Sequence, residues 1–187
     1  IQPSCKLNAM KTDFQSRLAR AQASLEGLSV GDAFGEGFFM SCELAMRVLK
    51  DESSPLDSYH ALAEDTFILL ELVDVRRTEF IQTPWRWTDD TAMAIEVVNN
   101  LRQNGKIEPD SLARAFSIRY DMGPNRGYGG AMHSLLPRLR RENWREAAPN
   151  LFDNQGSFGN GAAMRAAPIG AFFADDLKIC IENAQLS

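Results

Sequence analysis

Apolar positions recur at intervals of three and four along most of the chain, the spacing of core-facing helices. From Asp13 onward, Phe14, Leu18, Ala21, Leu25 and Leu28 form one such stripe, and the same register next brings up Asp32. Asp32 lies inside a glycine-rich segment, 27–37. Residues 38–50 predict a less regular helix, and 51–57 a polar loop around Pro55. The apolar patch within 59–75 fits a buried helix or a strand, and 79–84 is an approach segment to Trp85. A strongly periodic helix should follow Thr88 through Ile95, Val97, Val98 and Leu101 to about Asn104, with Gly105 just past its end. Pro109 suits the first turn of the next helix, which carries Leu112, Ala115, Phe116 and Tyr120. Residues 121–130 are rich in turn formers. Residues 131–141 look helical, with Pro137 set to kink or end the helix. A glycine-rich turn at 156–161 then feeds a helix-forming run from Ala162 to Ala167, and a last helix covers 176–184. Strand signals are scarce, so the chain reads as mostly α.

Composition narrows the setting. The chain has 187 residues, of which 44% are hydrophobic, enough for one ordinary domain or a piece of a larger one. A net charge of −5 argues against a nucleic-acid-binding face. No apolar run reaches the length of a membrane span, and the N-terminus lacks the apolar core of a signal peptide. Cys5, Cys42 and Cys180 are odd in number and widely spaced, which fits reduced thiols in a cytoplasmic protein. His60 and His133 stand in no ligand spacing. The sequence begins with Ile1, and Met10-Lys11-Thr12 offers a start, so 1–12 are expected to be a flexible segment or tag.

Three segments carry candidate chemistry. In Trp87-Thr88-Asp89-Asp90-Thr91, Thr88 is a good N-cap and the two carboxylates fall in the first turn. They sit about 100° apart around the helix axis. Such a pair either favours the helix dipole or converges on a hard cation such as Mg²⁺. Asp32 is either solvated at the rim of a helix end or buried, paired and ligated, with the nearby glycines permitting close approach. The run Gly156-Ser157-Phe158-Gly159-Asn160-Gly161 either permits tight packing or cradles phosphate oxygens.

Gly27-Leu28-Ser29-Val30-Gly31-Asp32-Ala33-Phe34-Gly35, Trp87-Thr88-Asp89-Asp90-Thr91 and Gly156-Ser157-Phe158-Gly159-Asn160-Gly161-Ala162-Ala163-Met164-Arg165 together resemble the ADP-ribosylglycohydrolase family. That family includes the glycohydrolase that reactivates dinitrogenase reductase. The motifs occur in the family's order and span 27 to about 170. The resemblance implies an all-α fold with a binuclear Mg²⁺ site, sometimes Mn²⁺, at the bottom of a cleft. It implies hydrolysis of the bond joining the distal ribose of ADP-ribose to a protein side chain or small acceptor. Thr88, Asp89 and Asp90 would be the N-terminal half of the metal shell, with Asp89 or Asp90 also moving the proton. Gly156, Ser157, Phe158, Gly159, Asn160 and Gly161 would wrap the diphosphate and adjoining ribose. Asp32 and Asp121 fall on the substrate side, Asp121 just before a segment similar to the family's Arg-Gly-Tyr-Gly.

Two departures shape the expectation. Many relatives place a catalytic Glu where this sequence has Phe39, and Glu36 is the nearest carboxylate to take that role. The family's C-terminal Asp-x-Asp-Thr has no counterpart here, so 13–187 read as the N-terminal portion of the domain. Such a portion should bind Mg²⁺ weakly unless a complementary C-terminal fragment completes it. Expected partners are an ADP-ribosylated protein or an ADP-ribose-containing small molecule, with no membrane or nucleic acid. The alternatives are a catalytically silent ADP-ribose-binding or structural protein of the same fold, or an unrelated helical scaffold.

Overall fold

The computed structural model describes residues 3–36, 85–149, 151–155, 157 and 159–187. The expected elements between 37 and 84, with Cys42, His60 and Phe39, lie outside the described residues, as do Gly156 and Phe158. The chain divides into two compact units, one of Ile1–Asp32 with Trp87–Ser187 and one of Ala33–Arg86. Within the second, the Phe34 and Trp85 rings lie 5.8 Å apart.

Every regular element among the described residues is helical. Helix α1 (Pro3–Glu36) begins well before the expected Asp13. It is followed by α2 (Asp89–Asn104), α3 (Pro109–Met122), α4 (Met132–Arg138) and α5 (Trp144–Ala147). A 3₁₀ turn (Leu151–Asn154), α6 (Ala167–Phe172) and α7 (Leu177–Leu186) complete the order.

Helix α2 is the centre of the first unit. Ala92, Met93, Ala94, Val97, Val98 and Leu101 are all buried, and α2 packs on both α3 and α6. Gly105 ends it in the left-handed conformation at φ 69°, its N–H donating to the Leu101 carbonyl, as the sequence predicts. The short connection to α3 is pinned from the side. Asn100 accepts the Glu108 N–H at 2.7 Å and donates to the Ser111 hydroxyl at 2.7 Å. Asn183 of α7 accepts the Ile107 N–H at 2.7 Å.

The α1 stripe docks where it was expected. Leu18 and Ala21 are buried, with Phe14 and Leu25 packed beside them. Arg17 and Arg20 reach carbonyls at the C-terminal end of α6, Phe172 at 3.1 Å and Ala171 at 2.9 Å. The Arg17 guanidinium also lies over the Phe172 ring, 4.3 Å from its centre.

One expectation needs correction. Residues 161–166 form successive turns rather than a helix start. Pro168 has no N–H for the carbonyl four residues back, so a continuous helix through it would lose that bond. The helix instead restarts at Ala167 with proline in its first turn. Among the described residues nothing lies within 4 Å of a Cβ built on Gly27, Gly31 or Gly35.

Candidate active site

The start of α2 is held from two directions. Asp32, near the end of α1, accepts the Thr88 N–H at 2.8 Å and the Thr88 hydroxyl at 2.6 Å. It also accepts the Thr91 N–H at 3.2 Å and the Thr91 hydroxyl at 2.5 Å. From the other side, the Arg126 carbonyl accepts the Asp89 N–H at 2.8 Å. Arg126 donates to the Trp87 carbonyl at 2.9 Å and stacks its guanidinium on the Trp87 indole, 3.3 Å from the ring centre. The cation–π contact and the hydrogen bond together fix the approach to the helix.

A helix N-terminus commonly seats an anion because its first N–H groups lack partners. Here those groups are engaged. Thr88 and Thr91 donate to Asp32, Asp89 to Arg126, and Asp90 to the Thr88 hydroxyl at 3.4 Å. The side chains gathered at the helix start are oxygen donors: one hydroxyl and two half-buried carboxylates. Burial raises the pKa of Asp90, and the nearby Asp32 carboxylate raises it further, against the lowering pull of Thr88. A cation would relieve that crowding of negative charge. The donor set is all oxygen, the chemistry of a hard divalent ion. Thr88, Asp89 and Asp90 thus fit part of a magnesium shell. No group of three or more His, Cys, Asp or Glu side chains gathers around one point among the described residues.

Gly127 presses against Asp89. Its φ is 89°, and a Cβ there would stand 3.3 Å from the Asp89 Oδ1. Only glycine accepts both the conformation and the proximity. Tyr128 follows, buried, with its hydroxyl lacking a hydrogen-bond partner among the described residues. Burial and, second, the Asp89 charge push its pKa up to about 12. Its ring meets Tyr120 edge-on at 5.1 Å, and the Tyr120 hydroxyl pairs with His133 Nδ1 at 2.7 Å.

A cavity of about 590 Å³ opens beside this helix start. Asp89 lines it at one side, and Ser157, Gly159, Asn160 and Gly161 line it at another. Much of the remaining wall is apolar, with Phe116, Met132 and Trp144 among its residues. Its size falls in the usual range of about 300–1,000 Å³ for small-molecule sites. Within the glycine-rich loop, the Ser157 hydroxyl accepts the Gly159 N–H at 3.0 Å. Arg165, also on the cavity wall, donates to the Gly161 carbonyl at 2.7 Å and to the Ser187 carbonyl at 2.6 Å. Burial lowers its pKa to about 10.

A family model described as ADP-ribosylglycohydrolase matches residues 13–187. The chain belongs to the ADP-ribosylglycohydrolase family. Among curated relatives, the ADP-ribosylhydrolase ARH3 of Xenopus tropicalis is 30% identical over 155 residues, covering 81% of this chain and 39% of that protein. ADP-ribosylhydrolase ARH3 of Danio rerio is 31% identical over 160 residues, covering 83% and 38% respectively. The human ARH3 matches at 35% over 107 residues, 54% of this chain and 30% of its own. The chain spans about two fifths of the length of the first two relatives.

Within this family member, the structure joins Asp89 to Ser157, Gly159, Asn160 and Gly161 around one cavity. Thr88, Asp90 and Asp32 cluster at the helix start behind it. Asp121 stands elsewhere, at the end of α3, paired with Arg140 at 2.8 Å. Glu36 is the last residue of α1, one helical turn past Asp32. Sequence reasoning missed the Arg126–Trp87 clamp and the contact of Gly127 with Asp89. The Arg126-Gly127-Tyr128-Gly129 motif was visible, but nothing in its spacing pointed to a partner some 39 residues upstream.

Proposed function

We propose that this chain is the N-terminal portion of a hydrolase that cleaves the glycosidic bond between ADP-ribose and a protein side chain or small acceptor. The observation that carries the reading is the shared cavity. An acidic residue at the start of α2 and a glycine-rich loop suited to phosphate oxygens face the same space. Thr88, Asp89 and Asp90 would hold magnesium as one half of a binuclear site, with manganese as a substitute.

Magnesium held there would act as a Lewis acid and make water a better nucleophile near neutral pH. The backbone N–H groups at Asn160 and Gly161, with the Asn160 side chain, bind the diphosphate end of the substrate. That anchoring sets the distal ribose against the Asp89 side of the cavity. Cleavage passes through an oxocarbenium-like state, as glycoside hydrolysis generally does. The bond from the ribose anomeric carbon to the acceptor breaks, and a water oxygen bonds to that carbon. Asp89 takes up the water proton and hands it on to the departing acceptor, which leaves protonated as the carboxylate is restored. Asp90, the neighbouring carboxylate, is the other candidate for moving that proton.

The test is hydrolysis of an ADP-ribosylated protein with Mg²⁺ by this chain and by its full-length parent, set against an Asp89→Asn variant of the parent. The variant is expected to lose at least about a hundredfold in rate. Undiminished turnover in Asp89→Asn would reject the assignment. An ADP-ribose-induced thermal shift without turnover, in this chain and in a longer form alike, would favour a silent binding protein. Because the donor set is half a shell, this chain alone is expected to bind Mg²⁺ weakly. Tight stoichiometric uptake of two ions in calorimetry would contradict that.

A further inference from the structure

We propose that Asp32 is a positioning residue that sets the lone pairs of the Thr88–Asp90 donors toward a cation, and that it contacts neither substrate nor metal. The inference rests on the metal-site reading above and deepens it.

The hydrogen-bond ledger at Asp32 carries the argument. Its Oδ2 accepts from the Thr88 N–H, the Thr91 N–H and the Thr91 hydroxyl, and its Oδ1 from the Thr88 hydroxyl. An ionised carboxylate offers about two lone-pair sites on each oxygen, so three acceptances fill Oδ2, while Oδ1 is drawn to the Thr88 hydroxyl. Every one of these donors belongs to a threonine flanking the two carboxylates. A carboxylate so surrounded works as a charged cap supplied from a distant helix.

The consequence falls on Thr88. A hydroxyl has one proton and two lone pairs. The Thr88 proton goes to Asp32 at 2.6 Å, and one lone pair faces the Asp90 N–H at 3.4 Å. The Asp90 carboxylate lies within reach of the same hydroxyl, and by taking the proton Asp32 turns the remaining lone pair, not the proton, to the Asp89–Asp90 side. With an amide at position 32, an N–H₂ group would compete for that lone pair, and the hydroxyl would turn its proton elsewhere. Thr91, 3% exposed, is held in the same way, so the whole first turn of α2 is locked against α1. Partners of this kind, one bond removed from a metal, typically change metal affinity by about 10–100-fold when altered.

The experiment is a Mn²⁺ titration of the full chain, read by paramagnetic broadening of the Thr88–Thr91 amide resonances, which detects weak binding. Amide exchange at Thr88 and Thr91 is measured in the same samples. Asp32→Asn is expected to weaken Mn²⁺ binding about tenfold and to speed exchange at both amides. Parental Mn²⁺ affinity in a folded Asp32→Asn would overturn the proposal. Should that variant fail to fold, Thr91→Val keeps the Asp32 charge and removes one hydroxyl bond. A smaller loss of Mn²⁺ affinity supports the proposal there, and parental affinity overturns it. Asp89→Asn separates the two ideas. Loss of Mn²⁺ broadening in Asp89→Asn with a parental Asp32→Asn sinks the positioning role alone. Broadening that is indifferent to Asp89→Asn sinks the metal-site reading and the positioning role with it.

Discussion

Gly127 and Tyr128 are adjacent, yet they constrain the Asp89 side of the site by opposite means. At Gly127 the absence of a side chain matters, since φ is 89° and a Cβ would reach to 3.3 Å from Asp89 Oδ1. Gly127→Ala is therefore expected to cost about 1–2 kcal/mol of stability and to weaken Mn²⁺ binding, read by denaturant melts and the amide titration. At Tyr128 the presence of a buried hydroxyl matters. Its proton leaves near 10 in the unfolded chain and near about 12 in the folded one, so the folded state holds it more tightly. Stability should accordingly fall as pH rises through that interval. Absorbance at 295 nm should show a step near about 12 that Tyr128→Phe removes. Because the hydroxyl has no partner among the described residues, Tyr128→Phe should melt no lower than the parent.

Elements were read well where the signal is local. The Thr88 cap, the Asp89–Asp90 first turn, Gly105 at the left-handed end and Pro109 in the next first turn all sit where the sequence predicted. Each depends on bonds within a single helical turn, which neighbouring residues decide. Gly105→Ala should thus lose about 1–2 kcal/mol at its φ of 69°. Gly170 lies inside α6, with nothing within 4 Å of a built Cβ among the described residues. Gly170→Ala should gain about 0.5–1 kcal/mol, and paired denaturant melts check the contrast in sign. The run after the glycine-rich loop was misread because composition alone favours helix at 162–167. The missing N–H of Pro168 outweighs that propensity.

On the scale of the whole first unit, α1 and α6 are joined through two aromatics and two arginines. Phe172 is fully buried, meets Phe14 edge-on at 5.9 Å and lies under Arg17, while Arg20 reaches the same helix end. Phe172→Ala is expected to cost about 3–5 kcal/mol, as large-to-small changes at packed aromatics do, and to lower the melting midpoint of the helical signal. The same packing holds α1 in place, and α1 delivers Asp32 to Thr88 across 56 positions of sequence.

The sequence by itself determined the helical class, the caps and the types of donor: one hydroxyl and two carboxylates at a helix start, and glycines in a loop. It did so because those features are written in residues a few positions apart. Tertiary structure decided what the donors face. Asp32 turned out to cap α2 from a distant helix, the Arg126 carbonyl to receive the Asp89 N–H, and the glycine-rich loop to share a cavity with Asp89. Such pairings join positions tens of residues apart, and periodicity carries no information on which helix end will meet which. The physical reason is that helix hydrogen bonds close over four residues, whereas the orientation of a site depends on packing between helices.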